Sequence, residues 1–175
     1  PIRSSAASDV YKRQIYERRK NALDVNKLKI DVADMIYDTI AKIYDNAKVD
    51  NDFKAFEFEI IKCFSTTSPV TKTEFENEND AKVINKTYEI VLNFYKEKNK
   101  ENSVKVFPIV KNVYENPQNK FERIVVPFSD GKKTMNIVTN LKDAYESNGQ
   151  ELINDFEKNI SLAIIDDTCL LYTSP

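Results

Sequence analysis

Three carboxylates, Asp31, Asp34 and Asp38, recur at helical steps in this 175-residue chain, and together they could hold a divalent cation. An acidic stripe facing water is the commoner use of that spacing. The other raw materials of chemistry are scarce. Histidine is absent, which removes the usual general base, the usual zinc ligand and every Ser-His or Cys-His pair. Gly131 and Gly149 are the only glycines, so neither a GxGxxG turn nor a phosphate-binding loop can be built. With Cys169 discounted for the reason given below, Cys63 is a lone thiol that can form no internal disulfide or thiolate metal site, and it fits a reducing compartment. No residue is therefore assigned a catalytic, cofactor-binding or metal-binding role.

Composition narrows the partners. The 26 basic and 28 acidic residues give a net charge of -2, so no global field favours nucleic acid or an anionic membrane, and nucleic acid is not expected as a partner. No stretch approaches the roughly 18 apolar residues of a membrane span. With 41% hydrophobic and 31% charged residues the chain can build one packed domain or parts of two.

The elements that must position these residues read mainly as helices. Residues 15–23 look like a helix end, with Asp24 as a cap for the next helix. From Asn26 to Asn46, Leu28, Val32, Met35, Ile36, Ile40 and Ile43 recur at helical steps. Phe53, Phe56, Ile60 and Phe64, with Cys63 beside them, form an aromatic core stripe, and a loop from Ser65 to Thr71 follows, with Pro69 ending the helix. Asn79 to Lys98 is a further helix with Ile84, Tyr88, Val91, Leu92 and Tyr95 on one face. The charge run 96–102 is either a flexible corner or the continuation of that helix, and a separate helix begins at Pro108 and runs to Glu115. Two strand-like segments, Phe121 to Phe128 and Thr134 to Val138, flank the turn signal Asp130-Gly131. Asn140 caps a short helix, Leu141 to Ser147, and Asn148-Gly149 breaks it before a long last helix that reaches Thr168.

The predicted fold is thus mainly α: an irregular helical domain with one small antiparallel β-hairpin at about 121–139 and a long C-terminal helix. On that last helix Leu152, Ile153, Phe156, Ile160, Ala163 and Ile164 form a stripe that covers one neighbour, whereas Leu162 and Ile165 point elsewhere and lack a partner.

Both ends read as foreign. Asp9 to Gln14 can be encoded by DNA whose reverse complement, read one base along, gives Cys169-Leu-Leu-Tyr-Thr-Ser174. Pro1 to Gln14 and Cys169 to Pro175 are accordingly expected to be sequencing-adaptor translation, and the natural segment to be an internal piece of a longer protein.

Ile15-Tyr-Glu-Arg-Arg-Lys-Asn-Ala-Leu23 and Asp31-Val-Ala-Asp-Met-Ile-Tyr-Asp38 resemble the end of the long scaffold helix and the helix after it in the SecA family of ATP-driven preprotein translocase motors. Phe121-Glu-Arg-Ile-Val-Val-Pro-Phe-Ser-Asp-Gly-Lys132, Asn140-Leu-Lys-Asp-Ala-Tyr-Glu146 and Phe156-Glu-Lys-Asn-Ile-Ser-Leu-Ala-Ile-Ile-Asp-Asp167 are similar to the later part of the same region. The resemblance implies a scaffold-helix end at 15–23, a helical wing domain at 24–148 and the start of a two-helix finger at 149–168. It implies the SecYEG channel, unfolded preprotein and the rest of the parent chain as partners, and a cytoplasmic location peripheral to the inner membrane. ATP and magnesium belong to upstream domains of the family, whose motifs are not found in these residues. The segment is therefore expected to be non-catalytic. Composition alone would instead argue a free-standing helical interaction module. A nucleotide-binding domain upstream and Trp-Lys-x-His-Leu downstream in the genome would mark the first reading.

Overall fold

The computed structural model describes residues 2–118 and 120–173, and the side chains of all of these except 2–9, 11 and 168–173. Pro1, Ser174 and Pro175, part of the stretches read as foreign, lie outside the described residues. The element order is α1 (Ile2–Ala22), α2 (Val25–Val49), α3 (Phe53–Phe64), α4 (Lys72–Asn77), α5 (Asp80–Tyr114), β1 (Arg123–Ser129), β2 (Thr134–Asn140), α6 (Leu141–Glu146) and α7 (Gln150–Thr173). The mainly helical fold with one antiparallel hairpin and a long last helix is as expected. The chain divides into two compact units, residues 30–98 and residues 1–29 with 99–175.

The unit of residues 30–98 is built on an aromatic centre. Asp52 caps α3 by accepting from Ala55 N at 3.1 Å, which starts the helix where its apolar stripe begins. That phase turns Phe56 and Ile60 inward onto Ile36, Ile40 and Tyr44 of α2, with Phe75 of α4 and Val83 and Val91 of α5 completing the cluster. Met35, expected on the covered face of α2, is instead 53% exposed, and Tyr44 and Ala47 take the buried positions further along. The aromatic α3 ends at Ser65, four residues before Pro69. Ser65 adopts a left-handed φ of 55° and donates its N–H to Ile61 O at 2.8 Å, so the chain has already left the helix when proline arrives. A short helix that the periodicity did not announce, α4, is set by a capping box: Thr71 Oγ1 accepts from Glu74 N at 3.3 Å and Glu74 Oε2 accepts from Thr71 N at 2.8 Å.

Helix α5 corrects a second expectation. It runs unbroken from Asp80 through the charge run and through Pro108, where a new helix was expected to start. Interior proline costs about 3 kcal/mol or more. Flanking Val106, Val110 and Val113 pack into the core of the second unit, which is the compensation that keeps the helix whole.

In that second unit Asp130, Gly131, Lys132 and Lys133 close the hairpin, with Ser129 paired to Thr134 and Arg123 to Asn140. Asp130 Oδ1 accepts from the N–H groups of Lys132 and Lys133 at 2.8 and 2.7 Å, and Gly131 takes the positive φ of 87°. Alternation puts Ile124, Val126, Phe128, Met135 and Ile137 on one face, which packs with Leu141, Ala144, Leu152 and Phe156. The Phe128 and Phe156 rings stack at 4.4 Å. Asn140 caps α6 by accepting from Asp143 N at 3.1 Å.

Helix α7 packs on β2, α6 and α1, and Arg19 pairs with Asp166. The expectation about its far end is reversed. Ile164 is 60% exposed, whereas Leu162 and Ile165 are half-buried. With α1 alongside as well as the hairpin, α7 buries more than one narrow stripe, so the one-neighbour geometry assumed from the sequence does not apply.

Candidate functional site

Asp34, Tyr37 and Asp38 lie on one turn of α2, and with Tyr88 of α5 they line an open cavity of about 330 Å³. The rings of Tyr37 and Tyr88 meet edge to face, 5.4 Å apart at 80°. Asp31 is not among the lining residues, so the structure brings two of the three carboxylates together and leaves the third aside. Among the described residues no group of three or more His, Cys, Asp or Glu side chains is placed to hold a metal ion. Cys63 is a free, exposed thiol rather than part of the aromatic core. Helix period explains this, because Phe56, Ile60 and Phe64 share a stripe that Cys63 flanks.

The polar groups with the closest geometry tie helices together. Tyr44, 1% exposed, donates to Asp80 Oδ1 at 2.6 Å. Burial, then the Asp80 carboxylate, pushes the phenol's pKa well above its ordinary value and keeps it a donor. Lys48 donates to Phe75 O at 2.6 Å at the end of α4, where unpaired carbonyls gather, and its amine stands 4.9 Å from the centre of the Phe75 ring. Sequence reading missed both residues, although Tyr44 and Lys48 stand one helical turn apart. The i, i+4 step from Ile40 to Tyr44 was the available signal.

Glu74 gathers three partners: Lys86 Nζ at 2.5 Å, Thr71 N at 2.8 Å and Thr71 Oγ1 at 3.1 Å. The Lys86 ammonium first, then the two Thr71 donors, hold its pKa down to about 2 from an ordinary 4.5. A carboxylate whose pKa falls on folding contributes stability above its unfolded value, and loses it as pH drops through the folded one. We expect a contribution present above pH 4.5 that disappears as pH falls towards about 2. Unfolding curves of the native chain and a Glu74→Gln variant from pH 7 to 2 check this. The two should converge at the acid end, and a constant gap would refute the assignment.

In the other unit the seat of α7 is the most constrained feature. Gly149, at φ 86°, is buried so closely against α5 that an added Cβ would stand 2.6 Å from Ser103 O. Asn154 and Asp155 are buried on α7. Asn154 bonds Glu151 and Gln150, and Asp155 pairs with Lys158 at 2.7 Å. Asn99 of α5 donates to Glu157. Tyr145 stacks on Tyr114 at 4.1 Å and donates to Glu115 at 2.9 Å, a bond that raises its pKa. These bonds supply rigid attachment, and none of them sets a nucleophile beside a base.

Over 153 residues, 87% of its length, the chain is 53% identical to the protein translocase subunit SecA of Flavobacterium psychrophilum. It is 49% identical over the same share to SecA of Christiangramia forsetii and 35% identical to SecA of Bacteroides thetaiotaomicron. In each case the match covers 14% of the relative, so the chain spans about one seventh of the length of the proteins it resembles. No family model matches the chain, and no solved structure matches it.

Proposed function

We propose, from the premise that this chain is a SecA-like segment, that it acts as a non-catalytic wing and scaffold piece of a motor coupling ATP hydrolysis to preprotein translocation. In this reading residues 15–23 end the scaffold helix, 24–148 form the helical wing domain and 149–168 begin the two-helix finger. Residues 1–14 and 169–175 are adaptor-derived and take no part. The similarity over 153 residues carries the proposal. The packing supports it, because the bonds around Tyr44, Lys48 and Glu74 and those at the start of α7 fix helices rather than prepare a reaction. ATP and magnesium are bound by other parts of the parent, and the segment borders the path of unfolded preprotein and the SecYEG channel. The parent works in the cytoplasm, peripheral to the inner membrane. No helix of the described residues is long and apolar enough to cross a membrane.

The test is an exchange. Residues 15–167 replace the matching stretch of the Flavobacterium psychrophilum SecA, and ATP-dependent import of a preprotein into membrane vesicles is measured. Import is expected to survive the exchange, and deletion of the stretch is expected to abolish it while hydrolysis in solution persists. The chain alone, given ATP and magnesium, should show no turnover. A folded chimera that hydrolyses ATP but imports nothing, or magnesium-dependent turnover by the chain itself, overturns the reading.

A further inference from the structure

Two features weaken α5 between Ser103 and Pro108. Pro108 has no N–H to offer the carbonyl of Val104, and its ring crowds that carbonyl. Ser103 turns its hydroxyl back to donate to Lys100 O at 2.8 Å, an arrangement that competes with the helical ladder. The helix is nevertheless continuous, and the Asn148–Gly149 turn lies against its Ser103, Val106 and Phe107 side, leaving Val104 and Pro108 exposed. A Cβ on Gly149 would meet Ser103 O at 2.6 Å, Val106 Cγ2 at 3.3 Å and Phe107 Cβ at 3.4 Å, so backbone lies directly on backbone. Two further contacts hold this part of α5. Asn99 donates to Glu157 of α7, and Phe107 faces the Tyr145 ring of α6 at 5.9 Å.

We propose that the weak turn of α5, residues 103–108, and the Asn148–Gly149 turn that launches α7 open and close as one unit, so that displacing the first turn of α7 unfolds this stretch of α5. The turn is a clasp: it holds the Ser103, Val106 and Phe107 side of a helical segment whose own hydrogen bonding, at exposed Val104 and Pro108, is incomplete. Any load that lifts α7 at Gly149 is thereby converted into local melting of α5. Without the proline, the α5 ladder would be complete and would stay closed when the clasp opened.

Native-state hydrogen exchange on the whole 175-residue chain in low denaturant tests this. The amides of Val106, Phe107 and Ile109 should exchange within about fivefold of those of Ile153 and Asn154, with the same denaturant dependence, because one opening exposes both sets. In a Pro108→Ala variant the α5 amides should slow by more than about tenfold relative to Ile153 and Asn154, since restored ladder bonding holds α5 closed. Wild-type sets differing by more than about fivefold in either direction overturn the proposal. So does a folded Pro108→Ala variant in which the two sets still move together, and the wild-type comparison decides alone if that variant does not fold.

Discussion

Replacing Phe75 by alanine is expected to destabilise the unit of residues 30–98 by about 3–5 kcal/mol, the usual loss for deleting a fully buried phenylalanine. Phe75 has no exposed surface and meets Tyr44, Phe56 and Phe53 at ring-centre distances of 5.3, 5.2 and 5.7 Å. Its removal also takes away the ring beneath the Lys48 amine and leaves a void that three other rings border. The expected loss is a large share of the roughly 5–15 kcal/mol that a domain has in hand. Phe58→Ala is the control. Phe58 is 64% exposed, two positions from Phe56 on α3, and its loss should change stability by less than about 0.5 kcal/mol. Urea unfolding followed by a signal from this unit measures both. Similar costs for the two variants would mean that the aromatic centre is misassigned.

Gly149→Ala is expected to cost about 2–5 kcal/mol, from two sources that can be separated. A left-handed φ of 86° penalises alanine by about 1–2 kcal/mol, and forcing a methyl group against Ser103 O adds about 1–3 kcal/mol of overpacking. Gly131 has the same backbone sign, φ 87°, and nothing within 4 Å of an added Cβ. Gly131→Ala should therefore show only the backbone part, about 1–2 kcal/mol. Equal losses at the two glycines would show that the approach of α5 to the 148–149 turn contributes nothing.

The sequence carried periodicity well and context poorly. Long apolar repeats located α2, α3 and α7, Asp130-Gly131 located the hairpin turn, and Asn140 was recognised as a cap because its neighbours repeat the standard chemistry. Pro108 misled because its usual place is a helix's first turn, and only packing of Val106, Val110 and Val113 shows why α5 passes through it. Helix α4 went unread because six residues are too few for a period, although Thr71 and Glu74 spell its capping box. The reading of α7 failed at Ile164 because a stripe cannot reveal that β2, α6 and α1, not one neighbour, lie against the helix. As for the candidate site, the three aspartates were visible, but no pattern within α2 could bring in Tyr88, which arrives from α5. Tyr44, Lys48 and Glu74 were ordinary helix residues until Asp80, Phe75 and Lys86 were placed beside them.

The division into units also implies an order of assembly. Residues 30–98 are one uninterrupted stretch, whereas the other unit is completed only when residues 1–29 meet 99–175. Bringing distant ends together costs closure entropy that grows with the length of slack chain between them. Once residues 30–98 have condensed on their aromatic centre that slack is gone, so the continuous unit is expected to form first and to speed closure of the split one. During synthesis the same order follows from emergence alone, because α7 leaves the ribosome after every residue of the continuous unit. Pulse-labelled refolding should then protect the Val83 and Val91 amides before that of Ala22, buried on α1, and the Phe75→Ala substitution should slow protection at Ala22 although it lies in the other unit. Simultaneous protection, or an Ala22 rate indifferent to Phe75, would show that the split unit closes without help.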